Sequence, residues 1–198
     1  MRVVFLDIDG VLNYEKSKSY KDNLYLGIDT IRAKRLAKIV EATDAKIVLT
    51  STWREFFAIG KTKWEQPSQT GRYLYNKLRR QHLFVYGKTT EKIAWKYRGH
   101  GIQKWLNEHP EVTDFVILDD ELFTDYYELG YIDRVIKTIY HTDIDDFGGL
   151  TENLVYSAIN ILNKGPISGQ GPVMDPDFIR FWKAENFRTP DKHDLFRI

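Results

Sequence analysis

Two aspartates one residue apart, Asp7 and Asp9, follow four apolar residues, Val3-Val4-Phe5-Leu6, and lead into Gly10. The apolar run reads as a strand buried on both faces, as in a parallel sheet. Acids directly beyond such a strand lie where open α/β sheets bind ligands, outside the carboxyl ends. Carboxylates this close repel unless a cation or a shared proton neutralises them. A hard divalent ion such as Mg²⁺, which prefers oxygen ligands, meets that need. The structural alternative is an Asx turn with Gly10 reversing the chain.

The pattern recurs. Ala45 to Leu49 is a second buried strand ending in Thr50-Ser51, and Phe115-Val116-Ile117-Leu118 ends in Asp119-Asp120. Basic residues arrive between the last two. A parallel sheet gathers all three polar clusters on one edge, and the set matches phosphoryl transfer. A carboxylate can attack phosphorus and divide hydrolysis into two easier displacements. A metal offsets the repulsion between anionic nucleophile and anionic substrate. The second acid can protonate the leaving alcohol and later activate water.

The elements that must hold these groups alternate between strand and helix. Asp29 or Thr30 can cap a helix to about Thr43 whose inner face is Ile31, Leu36, Ile39 and Val40; Lys34, Arg35 and Lys38 form its solvated side. A helix from about Thr70 to Leu83 precedes a short strand, Phe84-Val85-Tyr86, closed by Gly87. Thr89 to Arg98 is an irregular basic stretch, and Gly101 to His109 reads as a helix. A fifth strand falls within Arg134 to Tyr140, and Thr151 caps a helix carrying Leu154, Val155, Ala158, Ile159 and Leu162. The expected architecture is α/β, a Rossmann-like three-layer sandwich around a five-stranded parallel sheet. Residues 1–164 form this domain. Residues 165–198 comprise a linker, GPISGQGP, and an aromatic tail expected to pack on the same domain.

Composition narrows the class. The chain has 198 residues, 42% hydrophobic and 29% charged, as soluble globular domains do. The net charge of +1 gives no global field for nucleic acid, so any basic surface is local. Absence of cysteine excludes disulfides and thiolate metal sites. No apolar run approaches a membrane span, and a soluble, cytoplasmic protein without a membrane partner is expected.

VVFLDIDGVLN, KIVLTS, a basic residue and FVILDD, in that order, resemble the four motifs of the haloacid dehalogenase (HAD) superfamily, over about Arg2 to Leu162. The order excludes a receiver domain, whose phosphoacceptor lies on a later strand than its paired acids. The resemblance implies the strand order 5-4-1-2-3. It implies Asp7 as nucleophile and Mg²⁺ ligand, and Asp9 as general acid/base with its backbone carbonyl on the metal. Thr50, or else Ser51, binds the transferring phosphoryl group. Arg98 supplies the third motif, with Lys96, Lys92 and Lys88 as alternatives. Asp120 binds the metal and Asp119 supports it. Asp125 falls at the spacing of a further acid sometimes used, or is a surface residue.

LTSTWR, RGHGIQKWLNEHP and the late GGLT further resemble the phosphatase-like domain of Swiss-army-knife RNA-repair proteins. Arg54 then reaches a substrate phosphate, or pairs with a local acid. The insertion points for a cap hold no folded domain, so the fold is essentially capless and its open site admits an RNA or DNA end or a nucleotide. Tyr14, Tyr20 and Tyr25 among lysines can stack bases, or else pack locally. The expected function is Mg²⁺-dependent phosphomonoester hydrolysis through an aspartyl-phosphate. The alternatives are a small-metabolite or sugar-phosphate phosphatase and a catalytically silent binding module.

Overall fold

Strands β1 (Arg2–Leu6), β2 (Lys46–Leu49), β3 (Val85–Lys88), β4 (Asp114–Asp119) and β5 (Val135–Lys137) form one all-parallel sheet. The computed structural model describes residues 1–20, 25–90, 97–186, 190 and 194. Within the sheet the order is β3-β2-β1-β4-β5, the expected 5-4-1-2-3 read from the opposite edge. A count over the whole chain differs, because a short hairpin, Ser19–Tyr20 with Tyr25–Leu26, intervenes after β1.

The sheet divides the core in two. Val4 and Leu6 of β1 face a cluster shared with Leu36, Ile39, Leu154 and Ala158. Val3 and Phe5 face Ile102, Trp105, Phe123 and Tyr126. Helices α1 (Thr30–Thr43), α2 (Gln69–Arg79) and α5 (Glu152–Lys164) supply the first layer, and α3 (Arg98–Glu108) with α4 (Thr124–Glu128) the second. Val3 to Leu6 are all fully buried. Burying each such side chain is worth about 1.5–3 kcal/mol, so the strand carrying the first acids is rigidly seated. Neither the stretch after β1 nor the one after β3 holds an inserted domain among the described residues.

Several local expectations are corrected. Asp29 caps α1, its carboxylate accepting from the backbone N–H of Ile31 and Arg32. Ile31, expected on the inner face, is 57% exposed, and Arg32 is buried in its stead. The Arg32 guanidinium donates to the carbonyls of Gly148 and Asp145 and stacks on the Tyr14 ring at 4.2 Å. The third strand lies one to two residues later than expected, and Gly87 sits inside it. A Cβ there would come within 3.1 Å of the Trp105 indole nitrogen, so glycine lets α3 approach. Helix α3 starts at Arg98, not Gly101. The buried Asp125 carboxylate accepts from the His100 N–H at 2.9 Å and anchors that first turn, so Asp125 is no surface residue.

After α5, Val173 pairs with the outer edge of β5: its N–H donates to Val135 O and its carbonyl accepts from Lys137 N–H, both at 2.8 Å. Asp133 fastens the preceding glycines, accepting from Gly169 and Gly171 N–H at 2.7 Å each. Helix α6 (Pro176–Asn186) buries Phe178 beside Ile139 and Met174. Asp175 links the two last helices: it accepts from Asp177 N–H (2.8 Å), from Asn153 Nδ2 (3.1 Å) and from the Thr151 hydroxyl. Asp175→Ala is therefore expected to lower stability by about 2–3 kcal/mol, the sum of a lost cap and a lost charge-assisted bond. Urea unfolding measures it; a change below about 0.5 kcal/mol, the level of an ordinary surface substitution, would contradict this account. Phe187 and Phe196 lie outside the described residues.

Candidate active site

Register explains why distant residues meet. Leu6 pairs with Leu49 on one side and Leu118 on the other, so Asp7 stands level with Thr50 and Asp119. Backbone bonds continue past the strands: Thr50 N–H donates to Leu6 O and Asp7 N–H to Leu118 O. Asp119 is in turn level with Lys137 at the end of β5. Four strands thus deliver a hydroxyl, two acids and an ammonium in one row.

Asp7, Asp119 and Asp120 each offer an oxygen, and these lie within 4.8 Å of one another. Gly10 makes the approach possible. Its φ is +71°, and a Cβ there would stand 2.1 Å from the Asp120 Cγ. An oxygen-only cluster of this charge fits a hard divalent cation. In its absence, burial first, then the charges of Asp7 and Asp119, push Asp120 up to about 8. Burial likewise raises Asp119 to about 6, against the opposing pull of Arg98.

Arg98 sits among the acids. One guanidinium nitrogen, Nη1, donates to Asp7 Oδ2 and Asp119 Oδ2 at 2.7 Å each, and the group lies 4.6 Å from the Phe123 ring centroid. Asp119 is fully buried and also accepts from the Tyr126 hydroxyl (2.8 Å) and Glu121 N–H (3.0 Å). Asp120 has none of these bonds, so the two adjacent acids differ in what they can offer a ligand. Of the alternatives to Arg98, Lys88 donates to the carbonyls of Arg54 and Phe57 and braces that turn. Lys92 and Lys96 lie outside the described residues.

The Thr50 hydroxyl is fully buried and has no hydrogen-bond partner among the described residues. An unpaired buried hydroxyl costs about 1–3 kcal/mol, which a ligand oxygen would recover. Ser51 Oγ accepts from Trp53 N–H, capping the 3₁₀ turn Thr52–Phe56. The Arg54 guanidinium turns beneath that turn and donates to the carbonyls of Thr50 (2.6 Å) and Ser51 (3.1 Å).

Asp9 is held at both oxygens. Asn13 Nδ2 donates to Oδ1 at 2.8 Å and Trp53 Nε1 to Oδ2 at 2.9 Å. Burial, with Asp7 nearby, still raises its pKa, although both donors favour the anion. A carboxyl group poised in this way can give and take a proton.

Four contributors were not assigned roles from the sequence: Asn13, Trp53, Tyr126 and Lys137. Lys137 ends the apolar pair Val135-Ile136, just as acids end β1 and β4, which is the signal that could have found it. It is buried, donates to Thr138 O, and burial lowers its pKa to about 8. Of the tyrosines read as stacking bases or packing locally, Tyr14 and Tyr20 pack locally. Tyr14 is buried under Arg32, and Tyr20 stacks on Tyr73 at 3.7 Å and donates to Gln69 O. The Tyr25 side chain is outside the described residues.

The model of a family described as "HAD domain in Swiss Army Knife RNA repair proteins" matches residues 3–146. No curated protein and no solved structure matches the chain. The matched span runs from β1 to beyond β5 and contains every strand end that builds the acidic cluster. A parallel sheet in this order, with acids at the ends of β1 and β4 and a family match across both, leaves one assignment: the chain belongs to the HAD domains of Swiss Army Knife RNA repair proteins, a family of phosphatase-type hydrolases.

Proposed function

We propose that the protein is a phosphomonoesterase that uses Asp7 as nucleophile and Asp9 as general acid/base, on a phosphorylated nucleic-acid end or a nucleotide. Asp7, Asp120 and the Asp9 carbonyl would hold Mg²⁺, with Asp119 supporting them; bound there, the ion offsets the charge between nucleophile and phosphoryl group. The observation that carries the reading is the Thr50 hydroxyl, buried without a partner among the described residues and level with Asp7 at the sheet edge.

In the first step an Asp7 oxygen bonds to phosphorus while the ester P–O bond breaks, and Asp9 gives its proton to the departing alkoxide. In the second step Asp9 removes a proton from water, whose oxygen attacks phosphorus. The acyl-phosphate P–O bond then breaks, releasing inorganic phosphate and restoring the Asp7 carboxylate. Thr50, with Ser51 beside it, donates to the phosphoryl oxygens. Arg54 braces the carbonyls of that loop. Arg98, bonded to Asp7, orients the nucleophile and limits charge build-up.

The family description, RNA repair, supports a nucleic-acid end as substrate. The burial of Tyr14 and the stacking of Tyr20 on Tyr73 favour the second reading, a small phosphorylated metabolite, because they leave fewer rings for bases. Phosphate release is the test, measured with and without Mg²⁺ on 5′- and 3′-phosphorylated oligonucleotides, the matching mononucleotides and sugar phosphates. We expect Mg²⁺-dependent turnover with the highest kcat/KM on an oligonucleotide. Equal values for oligonucleotide and mononucleotide would move the assignment to the small metabolite, and absence of turnover on all of them would leave a binding module.

A further inference from the structure

We propose that Trp53 and Asn13 are positioning residues that hold the Asp9 carboxyl in the one rotamer from which it protonates an alkoxide leaving group. This rests on the assignment of Asp9 as general acid, and it names the class of substrate the clamp serves: phosphate esters of aliphatic alcohols, such as sugar hydroxyls.

The two donors grip opposite oxygens. Trp53 Nε1 reaches Oδ2 at 2.9 Å and Asn13 Nδ2 reaches Oδ1 at 2.8 Å, so rotation about either side-chain bond of Asp9 breaks at least one of them. Both donors are themselves fixed. Asn13 is fully buried, and its Oδ1 accepts from Gly10 N–H at 2.9 Å, tying the amide to the loop that carries Asp9. Trp53 is 3% exposed, its backbone N–H donates to Ser51 Oγ, and its ring lies 6.4 Å from Tyr73. Lys88 pins the same turn through Arg54 O and Phe57 O.

A carboxyl oxygen has two lone pairs, and each donor occupies one. Each oxygen keeps a second position, which carries the transferable proton. The clamp therefore orients the acid without blocking it. Orientation matters in proportion to how much the leaving group needs the proton. An alkoxide cannot depart without one, whereas nitrophenolate is stable as an anion and needs little help. Trp53 and Asn13 form no part of the phosphoryl site, so their loss should be felt in kcat for alkyl esters rather than in KM.

The test compares Trp53→Phe, Asn13→Ala and Asp9→Asn with the unaltered protein on p-nitrophenyl phosphate and on alkyl phosphates of graded leaving-group pKa, with Mg²⁺ present. Asp9→Asn should lose about 10²–10⁴-fold in kcat on the alkyl esters. Trp53→Phe and Asn13→Ala should each lose about 10–100-fold on the same esters, the scale of a misplaced catalytic group. For each variant the loss on alkyl esters should exceed that on p-nitrophenyl phosphate by about tenfold or more, a steeper dependence on leaving-group pKa. A structural defect lowers the active fraction equally for every substrate, so a uniform loss in Trp53→Phe and Asn13→Ala would overturn the proposal, as would no loss. Should Trp53→Phe fail to fold, Asn13→Ala carries the comparison alone. If Asp9→Asn itself shows no leaving-group dependence, the general-acid assignment falls and the clamp falls with it. If only Asp9→Asn shows it, the acid stands and the clamp is wrong.

Discussion

Asp7→Asn is expected to abolish turnover, by at least about 10⁴-fold, because the amide is a poor nucleophile. The fold should survive. Asp7 is one of the two carboxylates that Arg98 Nη1 bonds, and the 2.7 Å bond to Asp119 does not depend on Asp7. Losing one of several crowded negative charges should leave the melting temperature unchanged or raise it. Phosphate release gives the first result and a thermal melt the second, with mass spectrometry to exclude deamidation back to aspartate. Turnover within tenfold of the unaltered protein would remove Asp7 as nucleophile.

The second large effect is expected in the protein stripped of divalent metal. The folded state holds Asp120 protonated up to about pH 8 and Asp119 to about 6, against an ordinary value of 3.8 for each. Between these limits the folded chain binds protons that the unfolded chain has released. Stability from these groups is thus complete below about pH 4 and declines as pH rises to about 8. Lys137, lowered to about 8 from 10.5, changes stability in the opposite direction, but only above pH 8, so the lower window belongs to the acids. Saturating Mg²⁺ should flatten the decline by stabilising the ionised cluster.

Asp120→Asn should flatten it without metal and raise stability at pH 8 by about 1–2 kcal/mol, as expected where a site trades stability for function. Its activity should fall by about 10²–10³-fold, the usual scale for removing an electrostatic contributor. Urea unfolding from pH 4 to 8, with chelator or with Mg²⁺, measures both slopes. An Asp120→Asn protein less stable than the original at pH 8 in chelator would mean that the acidic cluster is not under electrostatic strain.

Local sequence carries a great deal here because the sheet is parallel and buried on both faces. Such a strand must read as an unbroken apolar run, and its end is marked by the first polar residue. Val3 to Leu6, Ile47 to Leu49 and Phe115 to Leu118 could therefore be delimited, and Asp7, Thr50 and Asp119 assigned to one edge, from the sequence alone. The α/β class follows from those three stretches, whereas the strand order and the family come from the resemblance that the motifs at their ends carry. Short-range rules also placed Thr151 as the cap of α5 and narrowed that of α1 to Asp29 or Thr30, of which the structure uses Asp29, since caps act within three residues.

What needed the tertiary structure involves side chains that meet across elements. Arg98 joins Asp7 and Asp119, 91 and 21 residues away, by a direction that only the start of α3 on Asp125 settles. Trp53 reaches Asp9 over 44 residues, and nothing in the spacing of a tryptophan in a turn points to an acid on another strand. Lys137 went unassigned because one lysine after two apolar residues marks a strand end more weakly than acids after four do. Ile31 and Arg32 exchanged places because helical periodicity shows which residues share a face, not which groups that face will meet. Carbonyls at 145 and 148 await a guanidinium there, and they, not hydropathy, decide which side chain is buried. Tyr14 and Tyr20 turned inward for the same reason: aromatic surface is withdrawn from water wherever a neighbour can cover it, and Arg32 and Tyr73 are such neighbours only in three dimensions.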